Sequence, residues 1–102
     1  MRLAQSSART HSMAAETAEV VALQAVAYLA ADETRWRTLL VQTGVDGTVL
    51  RSRLGEAAVL GEIVAFLMSH EKWAAEFCRD VGGDSQLLWR TQRALERAAG
   101  SR

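Results

Sequence analysis

Few side chains in this 102-residue sequence have the chemistry of a nucleophile, a metal ligand or a tuned acid. Cys78 is the single thiol, and His11 and His70 are the only imidazoles. A thiol becomes reactive in an electropositive, partly exposed setting, whereas a thiol on the apolar face of a helix is an ordinary small core residue. Cys78 is expected on such a face. Metal binding needs several donors at ligand spacing. His11 precedes the first apolar run and His70 stands at a helix junction, so neither pairs with the other or with Cys78. Glu62 interrupts an otherwise apolar stretch. A carboxylate in a cleft would explain it, but an arginine partner or an exit to solvent at the helix edge explains it better. No glycine-rich phosphate loop follows a strand. These residues predict no catalytic, cofactor or metal site, and a protein that is not an enzyme.

Recognition chemistry is better represented. Trp89, Arg90, Arg93 and Arg97 fall in one sector of a helical wheel, away from the Leu87–Ala98 side. Tryptophan with arginine is an enriched composition at binding hot spots. The competing reading is a cation–π pair of Trp89 with Arg93, one turn along, on a solvated face. A second candidate is the pair Arg51 and Arg53. They follow a helix–Gly44–Asp46–helix corner, the outline of a helix-turn-helix DNA reader. Against DNA stand a formal net charge of zero and the lack of Asn, Gln or Lys beside the pair. The neutral balance also argues against a polybasic membrane patch. The expected partner is therefore another protein, with a homodimer as an alternative, nucleic acid less favoured, and no membrane.

The elements that position these residues follow from periodicity. The stretch Val20–Ala31 has one polar side chain, Gln24, and no charge. Its apolar residues go almost all the way round a helical wheel, which predicts a buried central helix. It falls short of the roughly 20 residues needed to span a bilayer. Hydrophobic residues make up 49% of the chain, proline is absent, and no alternating run reads as a strand. The sequence predicts an all-α, compact bundle of about six short helices: 14–31, 33–43, 47–54, 56–69, 71–81, and one from an Asp84 or Ser85 cap to Ala99. Asp32 and Asp46 are expected to cap the second and third helices. Gly44 and Gly82 are expected to end the second and fifth. Val49, Leu50 and Leu54 should point inward from the third. Gly61 lies inside the fourth helix, where glycine is unfavourable, and suggests a close crossing with the first helix near Leu23.

The chain also echoes itself at an offset of 38 positions, Val26 to Val64. Val26-Ala27-Tyr28-Leu29 lies over Val64-Ala65-Phe66-Leu67, Gly44 over Gly82, Asp46 over Asp84, and Cys78 over Leu40. A pseudo-symmetric pair of three-helix units is inferred, with the first and fourth helices central. The tryptophans break the pattern: Trp36 lies over Ala74 and is read as core, Trp73 over Arg35 and is read as half-buried, Trp89 over Arg51. Residues 1–13 are polar and read as a disordered tail, leaving 14–100 as a single helical domain. One cysteine forms no disulfide within the chain, which fits the cytoplasm.

The run Ala22-Leu23-Gln24-Ala25-Val26-Ala27-Tyr28-Leu29-Ala30, then Leu39-Leu40, Thr43-Gly44-Val45-Asp46 and Leu50-Arg51-Ser52-Arg53, resembles a family of small alphaproteobacterial proteins. That family is catalogued only as a domain of unknown function, number 3572. Phe66-Leu67-Met68, Phe77-Cys78-Arg79 and the turn at Gly82 are similar to its second half, so the resemblance covers roughly residues 14–99. Gly47 and Ser85 stand where the pattern has proline after the turn aspartates, which implies looser corners here. The resemblance implies a bacterial cytoplasmic protein and no catalytic residues. The functional expectation is an adaptor or regulatory module acting by protein–protein interaction, with DNA binding as the alternative.

Overall fold

Six helices follow one another in the computed structural model, which describes residues 13–100. They are α1 (Ala15–Ala30), α2 (Glu33–Thr43), α3 (Gly47–Ser52), α4 (Ala57–Met68), α5 (Glu71–Asp80) and α6 (Leu87–Gly100). No strand occurs among the described residues, and none of their helices is long and apolar enough to cross a membrane.

Local chemistry sets the corners. The Asp32 carboxylate accepts the Thr34 N–H at 3.0 Å and so starts α2. Asp46 does the same for α3, accepting from Thr48 N at 2.8 Å and Val49 N at 3.4 Å. Each cap satisfies backbone donors that the first helical turn leaves without partners. Gly44 and Gly82 take φ of +70° and +75°, a conformation that costs a side-chain-bearing residue more than glycine. Asp84 accepts the Gln86 N–H at 2.9 Å in the turn before α6.

Three helices form the centre. α1, α4 and α6 pack against one another, α2 leans on α1, and α5 lies mainly on α4. α1 buries Ala18, Val21, Ala22, Ala25, Val26 and Leu29, a stripe of helical period whose alanines let its neighbours come close. α4 supplies Val59, Leu60, Ile63, Val64, Phe66 and Leu67. α6 supplies Leu88, Thr91, Ala94 and Leu95. Among the described residues Thr91 is the one fully buried polar residue, and its hydroxyl donates to the Leu87 carbonyl at 2.8 Å within its own helix.

Several expectations need correction. α1 is not buried all round: Val20 is 56% and Leu23 45% exposed. Nearly every face of the wheel is apolar, but only the faces toward α4, α6 and the adjoining α2 have a helix to pack on, and Val20 and Leu23 lie outside them. Gly61 does not meet Leu23. A Cβ built on it would stand 3.8 Å from the Leu95 Cβ, so it faces α6. α3 stops at Ser52, and Val49 points outward, 47% exposed. Val81 follows the end of α5 and is exposed, and Trp36 is half-buried. The centre includes α6 as well as α1 and α4.

Gly44 and Gly82, aligned by the offset of 38, both take positive φ, but the pseudo-symmetric pair of three-helix units is not confirmed. The helices that the offset would pair last differ in length, six residues in α3 and fourteen in α6. Residues 1–12 of the predicted tail lie outside the described residues. Met13 packs on α6, its sulfur 3.6 Å from the Thr91 hydroxyl and its carbonyl accepting from Arg97 at 3.2 Å.

Candidate functional site

The turn between α5 and α6 opens a recess. The Gly83 N–H donates to the Cys78 carbonyl at 2.8 Å, closing the end of α5. The chain then runs through Asp84 before α6 begins at Leu87, and α5 and α6 touch only lightly. A recess of about 440 Å³ remains between them, lined also by Met68 of α4. Ala74, Ala75, Cys78, Leu88 and Trp89 make it largely apolar, while Glu71, Arg79 and Asp84 stand at its margins.

Trp89 reaches this recess and is still 50% exposed. Arg93 lies over its ring, 5.1 Å from guanidinium carbon to centroid, and steadies the indole without covering the recess. The rest of the arginine stripe is engaged elsewhere. Arg90 pairs with Asp84 at 3.3 Å, and Arg97 donates to the Met13 carbonyl. The four residues grouped by the helical wheel thus divide in two: Trp89 and Arg93 are presented together, whereas Arg90 and Arg97 fasten α6 to its surroundings.

Cys78 lines the same recess and is buried. Burial pushes its thiol above the ordinary value; the Leu88 backbone opposes this and the Asp84 carboxylate adds to it. A thiol raised in this way is protonated at neutral pH and weakly nucleophilic. It contributes a small apolar wall.

The second candidate pair is occupied within the chain. Arg51 lies over the Trp36 ring at 5.4 Å, and Arg53 pairs with Glu56 at 2.9 Å. The helix that carries Arg51 has six residues, fewer than two turns.

His70 is stacked on Trp73, with centroids 4.4 Å apart and planes 15° apart, and lies 4.6 Å from the Phe66 ring. Its Nε2 is 3.5 Å from the Gln42 Oε1. The imidazole joins the α4–α5 corner to the end of α2. Among the described residues no three of His, Cys, Asp and Glu are grouped to hold a metal ion. Glu62 reaches solvent at the edge of α4.

One polar cluster was missed by sequence reasoning. The Tyr28 hydroxyl donates to the Glu76 carboxylate. Arg35 covers the Tyr28 ring at 3.9 Å and donates to the Tyr28 carbonyl at 2.7 and 3.2 Å. Burial first, and then the bond to Glu76, push the phenol up to about 12. The proximity of Tyr28 to Arg35 across the Asp32 cap was available as a clue. Nothing local pointed to Glu76, which stands 48 residues away. The cluster fastens α5 to α1 and α2.

Residues 15–98 match the model of a family described as a protein of unknown function, DUF3572. No curated protein and no solved structure matches the chain.

Proposed function

We propose that this chain, which belongs to the DUF3572 family, acts by protein–protein contact through the recess between α5 and α6, with Trp89 as the anchor. One observation carries the reading: a half-exposed tryptophan at the edge of an apolar recess. Solvent gains nothing from an exposed indole, whereas a partner that closes over it removes a large apolar area from water. Arg93 over the ring favours one orientation, so less side-chain freedom is lost on binding. The role is that of a small adaptor or regulatory module in the bacterial cytoplasm, where a lone protonated thiol is stable. The alternative is DNA binding at the α2–α3 corner, where exposed Arg51 lies over Trp36 and exposed Arg53 pairs with Glu56.

The test compares the tagged chain with its Trp89→Ala variant in paired captures from a bacterial lysate, each with and without nuclease. The expected result is a discrete protein that survives nuclease, is held by the wild type and is lost from the variant. The variant should unfold within about 1 kcal/mol of the parent, as a surface substitution does. Equal capture by both proteins, or a Trp89→Ala chain that is grossly destabilised, would refute the reading. Capture abolished by nuclease would move it to nucleic acid.

A further inference from the structure

The recess at Trp89 is one end of a longer seam. A second recess, of about 450 Å³, lies between α4 and α6. Its α4 wall is Ala57, Ala58, Gly61 and Ala65, and Met68, the next turn on, opens into the first recess. Its α6 wall runs through Ala99, Leu95 and Gln92, and the turn before Gln92 carries Leu88 and Trp89. Residues three and four apart are neighbours on a helix surface, so the two recesses lie end to end along one antiparallel pair. From Ala57 to Met68 the seam is about 17 Å long, some three helical turns.

Its two ends differ. The Ala58–Gly61–Ala65 end is built of small residues, so a backbone can approach closely. The Met68–Cys78–Trp89 end is similar in volume but is lined by larger apolar side chains around Ala74 and Ala75, and suits one bulky apolar side chain. The margins are mainly acidic, with Arg79 at the first recess and Arg93 over the Trp89 ring as the cations beside them. Glu62 and Glu96 flank the second recess and Glu71 the first. All three are exposed, and none is in an ion pair among the described residues. Arg79 is the only cation lining either recess among the described residues. The placement also gives a reason for Glu62, the acid that interrupts the apolar run of α4: it stands at the lip of the seam.

We infer that the seam receives an amphipathic α-helix of a partner protein, about three turns long, with a small-residue apolar face, one bulky anchor, and Lys or Arg along its flanks. The inference rests on the protein–protein reading above and extends it from the Trp89 recess to a partner of defined shape and charge. Two parallel walls a few turns long fit a rod better than an extended strand, because neither wall offers a row of free backbone donors. The excess of exposed acids along the lips, Glu62, Glu71 and Glu96 against Arg79, favours a cationic rod over an anionic one.

The experiment uses two fluorescent stapled helical peptides and the full chain. Both peptides carry alanine and one leucine on one face; one carries lysine on its flanks and the other glutamate. Anisotropy at low salt should give the lysine peptide about tenfold tighter binding or more, and the preference should shrink as salt screens it. Combined Glu62→Lys and Glu96→Lys, both at exposed sites, should abolish or invert the preference with an unchanged circular dichroism spectrum. Equal binding of the two peptides, or a preference that survives the double reversal, overturns the inference. So does a dimer in sedimentation that the double reversal dissociates, because a second copy would then fill the seam. A lysate partner that depends on Trp89 but ignores the double reversal overturns the cationic helix and leaves the Trp89 recess standing. Loss of both dependences removes both readings.

Discussion

Replacing Gly61 with alanine should make this protein more stable. Glycine in a helix interior costs about 1 kcal/mol relative to alanine, because its backbone loses more freedom on folding. That gain survives only if the new methyl has room. A Cβ at this position stands 3.8 Å from the Leu95 Cβ and meets no other neighbour within 4 Å, which is ordinary van der Waals contact. Gly61→Ala is therefore expected to add about 1 kcal/mol, raising Tm by about 4–8 °C for a domain of this size. Urea unfolding followed by far-UV circular dichroism measures it, with thermal melts as a check. Gly83→Ala is the control, because it must go the other way. Its Cβ would come within 2.6 Å of the Leu87 Cδ2 and 3.3 Å of Cβ and Cγ, so the whole Leu87 side chain has to move. Gly83 is exposed and Leu87 half-buried, so the side chain yields toward solvent and a cost of about 0.5–1.5 kcal/mol is expected, that of a displaced rotamer. A fall in stability for Gly61→Ala would refute the reasoning and restore the close helix crossing that the sequence suggested. Equal effects at the two glycines would show that the space around each Cβ does not control the outcome.

Other predictions are independent of that pair. Asp46→Ala should cost about 1 kcal/mol, since it frees the N–H groups at the start of α3, and Asp46→Asn should recover most of it in the same unfolding assay. The chain has one tyrosine, so the ultraviolet absorbance of tyrosinate reports Tyr28 alone. It should titrate near 12 in the folded protein, and Glu76→Gln should lower the midpoint. The folded value is raised, so the contribution of Tyr28 to stability is complete below pH 10 and falls as pH rises from about 10 to 12, where the unfolded chain loses the proton first. Cys78 should react with a soluble disulfide reagent far more slowly in the folded protein than in urea, because its thiol is buried and its ionisation disfavoured. Equal rates would place the thiol in solvent.

What could be read along the chain was local. The caps at Asp32 and Asp46 act over two or three residues, and Gly44 acts through its own φ, so α2 was expected at the positions it occupies, Glu33–Thr43. The absence of proline, the helical spacing of apolar residues and the membership of one family over residues 15–98 were equally legible. Trp89 was placed off the core face by the wheel alone, and it is half exposed.

The tertiary structure decided what depends on neighbours distant in sequence. In α1 nearly every face is apolar, so the pattern could not say that Val20 and Leu23 would face water; the positions of α2, α4 and α6 do. Gly61 announced a helix contact, but only packing shows that the contact is Leu95 of α6. The arginines of α6 looked alike on the wheel and separate because Asp84 and Met13 hold two of them. The seam beside Trp89 needs Met68 of α4 and Cys78 of α5 brought to the same flank of α6. Spacing within a helix specifies which residues share a face. What that face meets is set by the packing of whole helices, because burial depends on the sum of contacts that the rest of the chain supplies.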